Sequence, residues 1–393
     1  MKILLVHNDY GKYSGEEAVV DKMAEIFASL GHEVRQLRMS TASARESLRG
    51  KIRVFTAGIH SPAGIKAMRE AIAEFRPDVV NVHNVYPFIS PAALRECRRA
   101  GVPVVMTIHN FRLVCPTGLF MRDGEPCELC LERGNEWSCL RYNCEGSMLK
   151  SVAYASRNAI ARRRRHFPDC VDRFACITDF QRRKLIEAGI PAEKLIVIPN
   201  PMDVPKELAT PTDGKYVGFC GRISREKGID LIIDVARRNP DIPFRLAGAV
   251  ADEKLVEDLP ANVKLEGYLK GKNLEDFYAG SRFMVMASRW YEGFPMAILE
   301  GAKHAKATVG PDHGGFTEII GKGPEDRSGL LFEPGSPEGL EAAVRRLWDS
   351  PEEARRLGEA AQAKLRERFA TPVVAAAWQR LLSDILGSEI RSG

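Results

Sequence analysis

The sequence predicts an α/β protein made of two doubly wound, Rossmann-like domains. Three observations carry this: short apolar runs alternate with amphipathic helical stretches, the alternation restarts after a proline-bearing segment, and 393 residues suit two domains better than one. Apolar runs at 2–6, 53–55, 78–82 and 102–108 look like buried parallel strands, followed by helix-like stretches such as 17–30 and 91–99. The segment PNPMDVPKELATPT at 199–212 reads as a linker. A second series follows, with strands expected at 216–220, 244–246, 263–265, 283–286, 307–309 and 329–332. The last stretch, 372–386, is helical and amphipathic, with Trp378 as its anchor. The expected division is 1–204, with a cysteine-rich insertion at 115–144, then 205–371, and a terminal helix at 372–393 that packs back on the first domain.

Composition narrows the class. With 45% hydrophobic and 28% charged residues the chain is globular rather than disordered. No run of eighteen apolar residues occurs, and the start MKILLVHND reads as a first strand rather than a signal peptide, so a cytoplasmic protein is expected. The net charge of +5 is modest, but RRRRH at 162–166, on a stretch expected to be helical from Ser151, offers a basic patch for anionic lipid, nucleic acid or an anionic substrate, and would suit an anionic membrane surface. No helix-turn-helix, zinc-finger or aromatic RNA-binding signature is present, so no nucleic-acid partner is expected.

Two motifs carry chemistry in the second half. GRISREKG places Gly221 at the end of a strand and Arg222 and Lys227 in the turn beyond it. A guanidinium forks onto phosphate oxygens and an ammonium adds a compact charge, which together suit a diphosphate. About seventy residues further on, RWYEGFPMAILEGAKH sets Glu292 in a loop and Glu300 inside the following helix, with Gly293, Phe294 and Pro295 at the helix start. Free N–H groups at such a start favour anions, and the two carboxylates accept hydrogen bonds from hydroxyls. In open α/β sheets ligands bind beyond the carboxyl ends of the strands, so the cleft between two such domains is the expected site.

The order of these motifs, with SGEEAVVDKMAEIFASLGHEV, VIPNPMD, HGGFTEII and GLLFEPGSPEGLEAAV, resembles family 4 of the retaining glycosyltransferases, which have the GT-B fold. The resemblance covers nearly the whole chain. It implies that Arg222 and Lys227 hold the diphosphate of a nucleotide sugar, a UDP- or GDP-sugar, that Glu292 contacts the donor sugar and that Glu300 grips the ribose. It also implies that Gly15 keeps the loop near the diphosphate free of a side chain and that His109, in TIHN, lies close to the transferred sugar. The implied reaction is retaining transfer of a hexosyl group to a glycan or lipid-linked acceptor in polysaccharide or glycolipid biosynthesis, without a catalytic divalent metal, at the inner face of the cell membrane. A non-catalytic nucleotide-sugar binder and a GT-B nucleotide-sugar epimerase are the alternatives. The chain departs from the family pattern at Ser14, where a second glycine is usual, and at 306–308, where Gly-x-Pro is usual.

Nine cysteines are present, five of them between Cys115 and Cys144. Clustered thiols in a cytosolic chain suggest metal more than disulfides, and Cys127 and Cys130 form a CxxC knuckle. Cys115 and either Cys144 or Cys139 would complete four thiolates for a structural zinc. A subgroup of similar glycosyltransferases carries C…CxxC…C followed by Gly-Ser, and Gly146-Ser147 therefore favours Cys115, Cys127, Cys130 and Cys144.

Overall fold

The computed structural model describes residues 1–9, 15–40, 56–205, 207 and 209–389. The strand expected at 53–55 and the departure at Ser14 lie outside the described residues. Two compact units emerge: Met1–Leu119 with Glu128–Pro201 and Thr371–Gly393, and Phe120–Cys127 with Met202–Ala370.

The strands are β1 (Lys2–Asp9), β2 (Glu33–Ser40), β3 (Val79–Asn84), β4 (Val104–Ile108), the two-residue pair β5 (Met121–Arg122) and β6 (Glu125–Pro126), then β7 (Arg173–Cys176), β8 (Leu195–Val197), β9 (Tyr216–Cys220), β10 (Phe244–Ala247), β11 (Val263–Gly267), β12 (Ser281–Val285), β13 (Thr308–Pro311) and β14 (Gly329–Phe332). In the first unit they form a parallel sheet in the order β2-β1-β3-β4-β7-β8. The second unit has the parallel order β11-β10-β9-β12-β13-β14, the arrangement of a dinucleotide-type fold. Direction of winding reverses between β1 and β3 in one and between β9 and β12 in the other, and at such switch points ligands bind.

β3 and β4 are buried along their whole length, which explains why they read as continuous apolar runs. β2, β7 and β8 escaped the sequence reading. β2, EVRQLRMS, is a largely exposed edge strand, and β7 and β8 are only four and three residues long.

The final helix, Thr371–Glu389, belongs to the first unit. Trp378 is 2% exposed and meets Phe27 edge-on at 5.5 Å, within a core that includes Ile3, Leu5 and Val105. Lys306, at the departure from the family pattern, is buried and donates to the Thr212 carbonyl at 3.1 Å and its hydroxyl at 2.7 Å. Its ammonium thus ties the segment before β9 to the strand edge, and burial lowers its pKa to about 8.

The run at 162–166 is not one helical face. The helix Met148–Arg163 starts before Ser151 and ends inside the run, Arg165 is left-handed, and His166 is buried in the next helix. Arg162 pairs with Glu136 and Arg165 with Asp169. Among the described residues no helix is long and apolar enough to cross a membrane.

Candidate functional site

In the second unit, Gly221 follows β9 and donates its N–H to the Ala247 carbonyl at 2.9 Å. A Cβ on Gly248 would overlap the Gly221 carbonyl, so the loops after β9 and β10 touch backbone to backbone. The chain then makes a 3-10 turn, Arg225–Lys227, before the helix Ile229–Arg238. Gly228 between them has φ +68°, and a Cβ there would overlap the Ala287 carbonyl. Glycine is needed on both counts. Arg222 is about half exposed and pairs with Glu226 at 2.8 Å.

The Lys227 Nζ lies 2.5 Å from Glu292 Oε1, and the Ser288 hydroxyl donates to the same oxygen at 2.5 Å. Burial pushes the Glu292 carboxyl upward, but the ammonium and the side-chain hydrogen bonds the carboxylate accepts outweigh it and hold the group below its ordinary value. Lys227 also sits 5.4 Å from the Trp290 ring centroid. The Arg289 N–H donates to the Glu226 carbonyl at 2.9 Å, joining the loop after β12 to the turn after β9. Pro295 precedes the helix Met296–Lys303 as its cap rather than occupying its first turn, and Phe294 is buried edge-on against Phe369 at 5.5 Å. Glu300 is partly exposed and pairs with Lys303 at 2.8 Å. Its charge reaches Cys220 at the end of β9 and Tyr278, whose pKa values burial already raises.

A third segment completes this site. The His313 ring N–H donates to the Ser288 carbonyl at 2.9 Å, which fixes the proton on Nε2, and burial lowers its pKa. The Gly315 N–H donates to the Glu292 carbonyl at 2.8 Å. A Cβ on Gly314 would come within 3.0 Å of the Glu292 carbonyl oxygen, and one on Gly315 within 2.5 Å of that of Gly293. His313, Gly314 and Gly315 therefore hold the Glu292 loop. Sequence reasoning gave them no role, although paired glycines after a strand signalled a close backbone approach.

Gly221, Arg222, Lys227, Glu292, Gly293, Phe294, Pro295 and Glu300 thus come together around the β9/β12 switch point, while Gly15 and His109 belong to the first unit. Gly15 opens the helix Gly15–Ser29, and among the described residues, its chain neighbours and own helix backbone aside, no atom lies within 4 Å of where its Cβ would stand.

His109 follows β4 at the edge of a small cavity shared with His83, Asn110 and Arg112. Asn81 donates to Thr107 Oγ1 at 3.1 Å, so its Oδ1 accepts from His83 Nε2 at 2.9 Å. His83 Nδ1 must then accept from His109 Nε2 at 2.8 Å, leaving His109 Nδ1 as the acceptor nitrogen. Burial depresses both imidazoles, His109 to about 4, so the pair is neutral at pH 7. His83 and Asn81, in NVHN at the end of β3, fix the orientation of the His109 ring through these hydrogen bonds, an arrangement the sequence reading missed.

Among the described residues, His7, Asp9 and Glu17 form the one group of three potential metal-ligating atoms within 4.8 Å of one another, with the Arg38 guanidinium 3.8 Å from Asp9. The thiols form no such group. Zinc bound by four thiolates at about 2.3 Å sets their sulfurs roughly 3.8 Å apart, so the expected set is not assembled as a ready tetrahedron. Cys127 falls in the second unit and Cys115, Cys130 and Cys144 in the first. Cys139, set aside in favour of Cys144 on sequence grounds, is buried, and its side-chain hydrogen bond with Cys144, together with burial and the nearby Cys130 and Cys115 thiols, raises its pKa.

Residues 13–206 match the family described as Glycosyltransferase Family 4, and residues 203–364 the family described as Glycosyl transferases group 1. The chain is 26% identical over 303 residues to the sulfoquinovosyl transferase SQD2 of Arabidopsis thaliana, covering 74% of this chain and 54% of that protein. It is 30% identical over 193 residues to the mannosylfructose-phosphate synthase of Agrobacterium fabrum, covering 44% of this chain and 41% of that one. It spans about half the length of these curated relatives. Among solved structures, Anabaena HepE in complex with UDP aligns over 98% of this chain and 100% of its own, with a TM-score of 0.67 and 17% identity, a likeness of fold. With both halves of the sequence matched and two parallel, doubly wound units of GT-B type, the chain belongs to glycosyltransferase family 4.

Proposed function

We propose that the chain transfers a sugar, with retention at the anomeric carbon, from a UDP- or GDP-sugar to a glycan or lipid-linked acceptor in polysaccharide or glycolipid assembly. The observation that carries this reading is the Lys227–Glu292 contact at the β9/β12 switch point, with Arg222 in the segment between β9 and the turn that holds Lys227 and Glu300 one helix turn beyond the loop. HepE, of like fold, is described in complex with UDP.

In this reading Arg222 and Lys227 hold the diphosphate, and departure of the nucleoside diphosphate builds charge that preorganised cations stabilise without a catalytic divalent metal. Glu292, ionised and fixed by Lys227 and Ser288, accepts hydrogen bonds from donor-sugar hydroxyls, and Glu300 binds the ribose. No carboxylate is assigned as a nucleophile. The acceptor attacks from the face the diphosphate leaves, and the leaving phosphate takes the acceptor proton. His109, neutral, uses its Nδ1 as a hydrogen-bond acceptor near the transferred sugar, and Gly15 leaves room for the diphosphate.

The acceptor is placed at the inner face of the cell membrane, supported by the exposed Trp137, Met148, Leu149 and Val152 beside Arg141 and Lys150. The reading includes a structural zinc on the insertion, for which the thiols must draw closer than they stand here. Near-stoichiometric zinc in anaerobically purified protein tests it, and absence of zinc removes it.

Glu292→Gln tests the central assignment: turnover should fall by about two orders of magnitude with nucleotide binding kept. Undiminished turnover would remove the role. Release of nucleoside diphosphate only when acceptor is supplied separates transfer from epimerisation.

A further inference from the structure

Beside the His109 cavity the first unit holds a second one, of about 130 Å³. Tyr86, Arg112 and Leu113 line both, so the two share a rim. The inner wall is apolar, made by Val114, Leu131, Ala161, Phe167 and Ile190. Leu131 comes from the cysteine-rich insertion, which therefore forms one side of the cavity. That side is pinned: Glu136 takes two hydrogen bonds from Arg162 at 3.1 and 2.9 Å, and Glu128 accepts from Lys184 at 2.7 Å.

The shared rim is cationic. Behind Tyr86 lies Arg157, 7% exposed, with its guanidinium 4.5 Å from the Tyr86 ring and 3.9 Å from that of Tyr154. Its hydrogen bonds go to neutral groups, the Pro116 carbonyl at 3.0 Å and Asn158 Oδ1 at 3.4 Å. Burial and the positive charge of Arg112 lower its pKa to about 10, so it stays charged and adds to the field of Arg112 at the rim. Asn135, Glu136, Asn158 and Arg162 also line the cavity, with Glu136 and Arg162 paired to each other, so a sugar or peptide pushed against the apolar wall itself would leave polar groups unpaired and is disfavoured there. A hydrocarbon fits: an engineered apolar cavity of about 150 Å³ holds benzene. The cationic rim then calls for an anion at the end of that hydrocarbon.

We propose that this cavity, closed by the insertion, receives the first hydrocarbon units of a polyprenyl or alkyl phosphate whose phosphate meets Arg112 at the rim shared with His109. The inference rests on the proposed lipid-linked acceptor and makes the insertion the element that selects it.

Binding of farnesyl phosphate, farnesol and inorganic phosphate to the full chain is measured by calorimetry, alongside the thermal shift given by UDP- and GDP-sugars. The variants are Leu131→Trp, which fills the cavity from the insertion, and Ala188→Trp, which fills it from an exposed lining position and spares the core. Farnesyl phosphate should bind more tightly than either fragment and lose about tenfold or more in both variants, the worth of about two buried methylenes, while the nucleotide-sugar shift stays. Farnesyl phosphate binding no better than inorganic phosphate, or undiminished in Ala188→Trp, overturns the proposal. A missing nucleotide-sugar shift in the wild type with farnesyl phosphate still bound would instead overturn the donor assignment and support the cavity.

Discussion

Lys227 and Glu292, sixty-five residues apart, meet at 2.5 Å with side chains only 15% and 10% exposed. A pair this buried costs little while intact and much when one member is removed. Lys227→Met should destabilise the chain by about 3 kcal/mol in urea unfolding, because it strands a buried carboxylate. Lys227→Met with Glu292→Gln should recover part of that loss. A loss in the double variant equal to the sum of the losses in Lys227→Met and Glu292→Gln alone would show that the contact carries no coupling.

The Glu292 carboxyl is held below its ordinary value, which fixes the sign of a pH effect. Its stabilising contribution is complete above the usual carboxylate range and is lost as pH falls below it. The difference in unfolding free energy between wild type and Glu292→Gln should therefore shrink on acidification from pH 6 to pH 3. A difference that grows instead would mean the carboxyl is protonated in the native state.

His83 and His109 stack at 5.1 Å with a hydrogen bond of 2.8 Å between them, and burial makes both poor bases. With His109 at about 4 in the folded chain and about 6.5 unfolded, the unfolded state takes up the proton first. Stability present above about pH 6.5 is lost as pH falls toward 4. By NMR, the imidazole signals of these two residues should show no titration between pH 8 and 6. A midpoint near pH 6.5 for either would contradict the neutral pair.

Gly315 presses on the Gly293 carbonyl, where a Cβ would stand 2.5 Å from the oxygen. Gly315→Ala should move the Glu292 loop and weaken nucleotide-sugar binding by about tenfold while the melting temperature changes by a few degrees. Unchanged affinity would show that the contact does not position the loop.

Trp378 fills the core of the first unit from the far end of the sequence. Trp378→Ala should cost about 3–5 kcal/mol of that unit's stability, read by near-ultraviolet circular dichroism during urea unfolding. A loss below about 1 kcal/mol would mean that the helix Thr371–Glu389 is not part of its core.

Much of the fold was legible because buried parallel strands leave a signal that needs no partner to be seen. β1, β3, β4 and most strands of the second unit are apolar runs flanked by helices, while β11, VKLEG, shows a polar/apolar alternation instead. β2 was not legible, since EVRQLRMS on an exposed edge has apolar residues only at 34, 37 and 39 and so shows neither a continuous apolar run nor a clean alternation. In the site, Arg222, Lys227, Glu292 and Glu300 stood out because charged groups in apolar or glycine-bounded stretches require a reason. The Asn81–His83–His109 chain did not, because it is assembled across β3 and β4 by sheet pairing and no spacing along the sequence records it. The same holds for Gly315 and Glu292, whose contact joins the start of the helix Gly314–Ile320 to a loop through backbone atoms that carry no residue-specific signature.

The most direct measurement is a thermal-shift panel of UDP-, GDP-, ADP- and dTDP-sugars on wild type, Arg222→Ala and Lys227→Ala. At a hundredfold over its dissociation constant a true donor adds about 2.7 kcal/mol of apparent stability. The account predicts that a UDP- or GDP-sugar raises the wild-type melting temperature and that either substitution abolishes most of the rise. No rise with any nucleotide sugar, or a rise undiminished in both variants, would contradict it.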